Sequence, residues 1–345
     1  MLNASHALPD WQRAHGSPLF QGLIKQSTSE FIVTESLAFD FTGDGEHDYL
    51  WIEKEGANTT WVARGLARHA GIALRDVGYA GLKDRHAITR QWFSARRPSG
   101  AGTDWDAFDL EGVRILDTTR HLRKLKRGAH SGNRFRIAVR EVNGPDETLI
   151  SDRLTVIREK GVPNYFGAQR FGRDGSNLSL AEDVFAGKRL KRELRSMALS
   201  AARSFLFNEI LSSRVTDGSW EQALAGDALN LNGTGSFFIA DEIDDEVNKR
   251  LRSLDVHPTG ALWGRGDLQC GGQSAKNESR IADSYPEIRD GLERAGLDMA
   301  RRALRLAVTD LQWEIDANRL WLEFSLGRGS YATAVLREIV GLPGE

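Results

Sequence analysis

The stretch GYAGLKDRHAITRQWFS, residues 78–94, concentrates glycines, charges and aromatic side chains in one short span. Most segments this polar are solvated loops. This one carries a single acid, Asp84, between Lys83 and Arg85. A carboxylate that works at neutral pH has to stay ionised, and a nearby cation lowers its pKa. For an isolated lysine–aspartate pair, an acid that merely caps a turn is the default interpretation, and the remainder of the chain decides between this and chemistry.

The composition is that of an ordinary globular protein. The chain has 345 residues, of which 40% are hydrophobic and 27% charged, with a net charge of −2. This length suits two domains, or one large domain with an insertion. The balance is not basic overall, so a nucleic acid would have to bind a locally basic face. The single cysteine, Cys270, excludes an internal disulfide and suits a reducing, cytoplasmic location.

Targeting and membrane signals are not expected from the sequence. Residues 1–16 lack the apolar core of a signal peptide. No run reaches the roughly 18 apolar residues of a membrane span. We therefore predict a cytoplasmic protein with no membrane partner.

Periodic patterns predict secondary structure on both sides of the opening stretch. Period-two alternation predicts strands at residues 31–33, 47–54 and 133–140. A turn is predicted at residues 143–145 and a helix at 148–159. Another helix is predicted with Asn58 as its N-cap and Gly71 at its end. Val62, Leu66 and Ala70 share its apolar face.

The character of the sequence changes after residue 160. Residues 188–215 are strongly helical, and a polar helix is predicted to open at 241–246. Strands at 304–316 and 319–327, then a helix at 331–340, close the chain. The apolar face of the 188–215 helix is assigned to Leu194, Ala198, Ala201, Phe205 and Ile210. Strands at both ends with a helix-rich middle predict an α+β protein whose β-rich domain is interrupted by a helical insertion.

Motifs for metals, nucleotides and acyl transfer are missing from the sequence. There is no C-x-x-C, no H-E-x-x-H, no G-x-x-x-x-G-K-[ST] and no G-x-S-x-G. The glycine-rich stretch at 264–272 does not match G-x-G-x-x-G, and we interpret it as a surface loop. We therefore expect no cofactor and no metal.

Basic residues are grouped although the chain as a whole is not basic. Residues 120–127 (RHLRKLKR) and 188–195 (KRLKRELR) form two clusters, and arginines 85, 90, 96 and 97 form a third. One such cluster is usually a solvated helix face. Three clusters interleaved with aromatic residues favour RNA, because phosphates need cations and unstacked bases need flat apolar faces.

The opening stretch resembles the signature of the TruD family of tRNA pseudouridine synthases, G-x-K-D-x-x-A-x-T-x-Q. The matching residues here are Gly81, Lys83, Asp84, Ala87, Thr89 and Gln91. Further blocks resemble the family in the same order: IKQSTSEFIVTE with Lys25, GNRFRI with Asn133 and Phe135, and PNYFGAQRFG at residues 163–172. The resemblance covers nearly the whole chain, without a departure at the motif positions.

The resemblance implies a reaction and a fold. Members of this family convert the uridine at tRNA position 13 to pseudouridine, without a cofactor. Their fold is bilobal, with a mixed-sheet catalytic domain flanked by helices and interrupted by a family-specific insertion domain. For this chain it implies a catalytic domain at 1–159 and 308–345, an insertion domain at 160–307, and tRNA as the partner of a monomer.

The resemblance also implies roles for residues. Asp84 is the candidate catalytic carboxylate, which could attack a sugar carbon or stabilise positive charge there. Lys25 is the candidate cation beside it. Lys83 and Arg85 adjoin Asp84 in sequence, but neighbours on a strand point apart, so we expect them to contact phosphate.

Other substrate-binding candidates have two possible roles each or an expected contact with the base. Phe135 could stack on the extruded uracil or fill the core of its strand. Asn133 could hydrogen-bond the uracil edge. Gln91 and Thr89 are expected either to bind substrate or to brace the loop. Phe166, Gln169 and Arg170 are expected at the domain junction, where they either shape the pocket or pack the domains.

Two alternatives belong to other classes of protein. An RNA-binding protein on the same fold would keep the basic clusters and lose the acid, whereas Asp84 is present. A hydrolase would use paired carboxylates, but we find no second acid placed with Asp84, and Glu35 is ambiguous. The sequence thus favours an isomerase.

Overall fold

The structure, a computed structural model, describes residues 8–97, 102–142, 144, 146–316 and 318–343. The predicted turn at 143–145 involves residues 143 and 145, which lie outside this range. Contacts divide the chain into two compact units, each taken over its described residues. The sheet unit comprises Phe20–Glu147 and Thr309–Gly329. The helical unit comprises Met1–Leu19, Thr148–Val308 and Ser330–Glu345.

The sheet unit is built, within its described residues, on one eight-stranded sheet. Seven strands follow in spatial order: Thr309–Asp316, Arg319–Gly327, His130–Arg140, Phe31–Leu37, Ile88–Arg96, His47–Glu55 and Val113–His121. The eighth, Val77–Tyr79, pairs with Ile88–Arg96. Phe31–Leu37 runs parallel to Ile88–Arg96, and its pairing with His130–Arg140 is antiparallel. The predicted mixed sheet is therefore confirmed.

One helix covers part of this sheet. Thr59–His69 follows Asn58 as its N-cap, whose carbonyl accepts a hydrogen bond from the backbone N–H of Val62 at 3.1 Å. Val62 and Leu66 are fully buried and pack against strand residues Leu50, Ile52 and Phe93. Gly71, at φ +63°, then takes the left-handed conformation that ends many helices. The predicted helix is confirmed. The remaining elements of this unit are Phe20–Gln21, Thr28–Glu30 and Leu74–Asp76.

The helical unit combines α-helices with small sheets. Its helices, over the described residues, are Glu147–Lys160, Ser176–Phe185, Arg192–Thr216, Asp245–Arg252, Gly272–Ser284, Pro286–Arg294 and Ala332–Leu336, with short 3-10 turns at Ala168–Arg170 and Arg173–Gly175. Four antiparallel strands lie in the order Phe237–Ala240, Asp227–Leu231, Val256–Leu262 and Ala300–Ala303. Short strands are Val162–Pro163, Arg305–Leu306 and Val340–Gly341. The predicted helix-rich middle is confirmed.

Several predicted boundaries are wrong, for local reasons. The long helix starts at Arg192, so Leu194 lies in its first turn and is 40% exposed, whereas Ala198 is buried. The polar helix starts at Asp245, because Asp244 caps it by accepting the N–H of Val247 at 2.8 Å. The closing helix, Ala332–Leu336, is shorter than expected.

The two units do not coincide with the predicted domains. Described residues of 8–19, 148–159 and 330–343 pack with residues 160–308, whereas the domain prediction places them in the catalytic domain. The two units are defined by contacts within the chain, whereas the predicted domains are defined by catalytic role. The domain boundaries therefore stay a prediction. Among the described residues, no helix is both long enough and apolar enough to cross a membrane.

Candidate active site

The loop at residues 80–87 connects Val77–Tyr79 to Ile88–Arg96 in the sheet unit. Its backbone is held by two buried side chains. The Lys83 N–H donates to Thr59 Oγ1 at 3.0 Å, and Thr59 Oγ1 donates to Gln91 Oε1 at 3.0 Å. Gln91 Nε2 in turn donates to the Gly81 carbonyl at 3.1 Å. Gln91 is fully buried, so of the two predicted roles the geometry supports bracing of the loop. Thr89 is also fully buried.

Asp84 lies on the solvent side of this loop. Its Oδ2 accepts a short hydrogen bond from Lys25 Nζ, and its Oδ1 accepts the backbone N–H of His86 at 2.9 Å. The Lys25 and Asp84 side chains are 32% and 35% exposed. We call them the outer pair. The structure thus brings together two residues that are 59 positions apart in sequence, as the prediction expected.

The surroundings of Asp84 favour its ionised form. Partial burial by itself raises the pKa of the carboxyl group. The hydrogen bonds from Lys25 and from the His86 N–H, with the positive charge of Lys25, outweigh that effect and lower the pKa below its usual value. An ionised, partly exposed carboxylate of this kind is chemically suited to nucleophilic attack or to stabilising positive charge.

Lys25 is held in place by its backbone and by an aromatic ring. Its φ is +58°, a left-handed conformation that is uncommon outside glycine. Its Nζ lies 4.4 Å from the centroid of the Phe31 ring. A cation over an aromatic face is attracted by the ring quadrupole. Phe31 therefore helps to direct the ammonium group.

Lys54 lies beneath Asp84 and is not among the predicted site residues. It is fully buried, and its Nζ donates to the Asp84 backbone carbonyl at 2.9 Å. Burial lowers the pKa of Lys54 to about 8, with the charge of Asp84 acting in the opposite direction. A sequence signal existed: Lys54 continues the buried alternation of Leu50 and Ile52 along its strand.

Lys83 belongs to a second, buried group. Its Nζ lies 3.0 Å from Glu35 Oε2, an ion pair whose angle departs from hydrogen-bond geometry. The side chains of Lys83 and Glu35 are 6% and 0% exposed, and we call them the inner pair. Glu35 Oε1 also accepts the Trp92 N–H at 3.2 Å. Burial raises the pKa of Glu35 despite the opposing charge of Lys83.

The inner pair also orients Asn133. Lys83 Nζ donates to Asn133 Oδ1 at 2.5 Å. An ammonium group only donates, so the amide oxygen faces the lysine and the amide nitrogen remains a donor. The Lys83 side chain points into the sheet unit and orients Asn133, and the phosphate contact predicted from the sequence stays a prediction. Arg85 differs: it is exposed, and its Nε donates to the Gly56 carbonyl at 2.9 Å.

Phe135 lies next to these residues in the sheet. Its ring stacks on Phe324 at 5.5 Å between centroids and meets Phe31 edge-on at 6.5 Å. It is 7% exposed. Packing in the core is therefore part of its role, and the predicted contact with uracil stays a prediction.

A basic groove lies in the same unit. It has a volume of about 510 Å³ and is lined by side chains of the helix Thr59–His69 and of residues 124–127. Its basic and aromatic members are Arg64, Tyr79, Lys124, Lys126 and Arg127. The Arg127 guanidinium lies 5.4 Å from the Tyr79 ring centroid. The groove presents cations and an aromatic face next to the strand that leads into the 80–87 loop.

The remaining predicted residues lie in the helical unit. Arg170 donates to Ser200 Oγ at 3.0 Å and to the Tyr331 hydroxyl, and lies 5.2 Å from the Phe166 ring centroid. Gln169 lies in the 3-10 turn Ala168–Arg170. The second basic cluster borders a cavity of about 390 Å³ lined in part by Lys188, Arg189, Arg195 and Arg294. Among the described residues, no three His, Cys, Asp or Glu side chains form a group that could hold a metal.

Known proteins resemble this chain over almost its full length. A family model of tRNA pseudouridine synthase D (TruD) matches residues 13–186 and 181–339. The tRNA pseudouridine synthase D of Methylococcus capsulatus is 49% identical over 334 residues, which is 96% of this chain and 94% of that protein. The protein of the same name from Nitrosococcus oceani is 47% identical over 328 residues, covering 94% and 91%.

A solved structure has the same fold. It is described as a putative tRNA pseudouridine synthase D (TruD) from Methanosarcina mazei. The TM-score is 0.77, with 97% of this chain and 96% of that chain covered. At 21% sequence identity, this likeness concerns the fold alone.

Proposed function

The chain belongs to the TruD family of tRNA pseudouridine synthases, and from this premise we propose that it isomerises uridine 13 of tRNA with Asp84 as the catalytic carboxylate. The reaction breaks the N1–C1′ bond of the uridine and forms a C5–C1′ bond. Nothing is oxidised and nothing is added. The protein has to extrude the base, stabilise charge at the sugar and keep the uracil in place while it turns.

The observation that carries the proposal is the outer pair. A carboxylate can attack C1′ or stabilise positive charge there, and either role requires the ionised form. The hydrogen bond from Lys25 lowers the pKa of Asp84, while 35% of the side chain stays exposed for substrate. Glu35 does not provide a second catalytic acid, because its side chain is fully buried against Lys83. This arrangement supports an isomerase over a hydrolase with two carboxylates.

Asn133 and Phe135 are the proposed uracil contacts. The amide nitrogen of Asn133, with its oxygen held by Lys83, is oriented to donate to a uracil carbonyl. Phe135, which is 7% exposed, is proposed to contact the ring of the base. Phe324 offers a matched control, since it stacks on Phe135 and is fully buried. Phe135→Leu should lower the rate more than its loss of stability explains, whereas Phe324→Leu should lower stability alone; equal rate losses would contradict the contact.

The RNA backbone is proposed to bind the basic residues. The groove of Lys124, Lys126 and Arg127 and the cluster at 188–195 offer cations, and Arg85 adds one beside Asp84. Gln169 and Arg170 remain proposed contacts in the helical unit. Phosphate contacts release counterions, so binding should weaken as salt rises.

The experiment that tests the proposal is modification mapping. Unmodified tRNA with uridine at position 13 is incubated with the parent protein, with Asp84→Asn and with Asp109→Asn, an exposed acid of the same unit. Pseudouridine is detected by carbodiimide adduct and primer extension. A stop at position 13 with the parent and Asp109→Asn, but not with Asp84→Asn, is expected. Bound tRNA without a stop for any protein would sink the assignment, and release of free uracil would indicate a hydrolase.

A further inference from the structure

Leu82 is the most exposed large apolar side chain among the described residues, at 63%. It lies two residues before Asp84 in the 80–87 loop. A single exposed leucine is common on protein surfaces and by itself does not indicate a binding site. Its setting in the loop is what distinguishes it.

The backbone on both sides of Leu82 is fixed. The carbonyl of Gly81 accepts from Gln91 at 3.1 Å, and the N–H of Lys83 donates to Thr59 at 3.0 Å. Thr59 and Gln91 are 2% and 0% exposed and are bonded to each other. Leu82 is therefore presented to solvent from a rigid backbone, so little conformational entropy is lost when it makes a contact.

Leu82 and Asp84 are both exposed, on either side of an enclosed residue. Lys83 between them points into the sheet unit, with 6% of its side chain exposed. Asp84, like Leu82, points outward. An apolar group thus stands next to the carboxylate, on the side from which substrate must come.

The reaction creates a need for such a group. A uridine within folded RNA has to leave its stack before its C1′ can be reached, and unstacking costs free energy. The vacated space exposes the faces of the neighbouring bases. Proteins that unstack bases insert apolar side chains, leucine among them, between the base steps.

We propose that Leu82 inserts into the RNA stack beside the target uridine and stabilises the extruded conformation. The inference rests on the proposed function and goes beyond it, since it assigns the step that precedes chemistry to a residue without chemical reactivity. The contact is with the flanking bases, while Asp84 acts on the extruded nucleotide.

The test compares two substrates under single-turnover conditions. One is folded tRNA with uridine 13, and the other is the same tRNA loosened by a mismatch next to that uridine, chosen so that the parent protein modifies it. Leu82→Ala should slow the reaction about 10-fold on folded tRNA, as expected for loss of one stacking contact. The loss should fall to within about 3-fold on the loosened tRNA, where unstacking costs less.

Controls separate insertion from a change in the loop. Leu82→Met keeps an apolar side chain of similar volume and should retain most of the rate. Leu116→Ala removes a leucine that is 42% exposed on the strand Val113–His121, and should not change the rate. Equal losses for Leu82→Ala on both substrates would mean that Leu82 shapes the site, and would overturn insertion. No loss on either would overturn it as well, whereas an inactive parent protein would refute the proposed function instead.

Discussion

The outer pair, Lys25–Asp84, and the inner pair, Lys83–Glu35, each join a lysine to a carboxylate at the 80–87 loop. The outer side chains are 32% and 35% exposed, and the inner ones are 6% and 0% exposed. The pKa of Asp84 is lowered, whereas the pKa of Glu35 is raised. In both cases burial favours the neutral acid and the lysine opposes it; only where burial is partial does the lysine prevail.

The difference separates reactivity from positioning. A carboxylate that is ionised and reachable can take part in a reaction. A carboxylate enclosed with its lysine cannot meet substrate, but a buried polar pair specifies one arrangement of its neighbours, here Asn133 and the strand of Trp92. We therefore propose that the outer pair takes part in the reaction and that the inner pair positions its neighbours. Substitutions in the two pairs and at the neighbouring Lys54 test this division.

The largest effect is expected from breaking the inner pair. Lys83→Met leaves the buried Glu35 carboxylate without its cation and Asn133 without its donor. The free energy of unfolding should fall by about 3–5 kcal/mol, as when one partner of a buried ion pair is removed. Urea unfolding followed by circular dichroism measures the change.

A double substitution checks the cause of that effect. Glu35→Leu in the Lys83→Met background removes the uncompensated charge, and should recover part of the lost stability. Lys25→Met is the matched comparison at the outer pair, where solvent screening limits the loss to ~0–1 kcal/mol. Similar losses for Lys83→Met and Lys25→Met would contradict the division into inner and outer pairs.

The second effect concerns the pH dependence of the outer pair. Lys25→Met removes the largest influence that lowers the pKa of Asp84 and leaves partial burial, which raises it. The ionised form should then be lost at a higher pH than in the parent protein. We expect the acidic limb of the single-turnover rate to move to higher pH, and Lys25→Arg to move it less. An unchanged limb would mean that Lys25 does not control the ionisation of Asp84.

The third effect concerns Lys54, whose partner is a carbonyl group instead of a carboxylate. Its pKa of about 8 in the folded state lies below the ordinary 10.5, so the unfolded chain binds more protons between these values. The free energy of unfolding of the parent protein should therefore rise with pH across this window relative to Lys54→Met. Urea unfolding at several pH values from 7.5 to about 10.5 measures this difference. A constant difference would show that Lys54 titrates normally.

The sequence predicted the elements whose pattern is local. The strand His47–Glu55, the helix after Asn58 and the strand containing Phe135 follow from alternation, capping and periodicity. The motif around Asp84 pointed to the carboxylate, and the family resemblance added Lys25. The predicted helix boundaries are wrong where the helix starts later than the pattern indicated. Asp244 caps one such helix, and Leu194 is exposed in the first turn of the other.

Burial could not be predicted from the same patterns, because it depends on which strands become neighbours. Lys83 and Arg85 are equally charged and flank the same acid, yet one is enclosed and the other exposed. The enclosure of Lys83 requires Glu35 and Asn133, which are paired across two antiparallel strands nearly 100 residues apart in sequence. Residue types and spacing thus pointed to Asp84, and the family resemblance added Lys25 as its cation. Tertiary structure alone decided which of these cations is enclosed and which is exposed, because the solvation of a charge is a property of the packed neighbours around it.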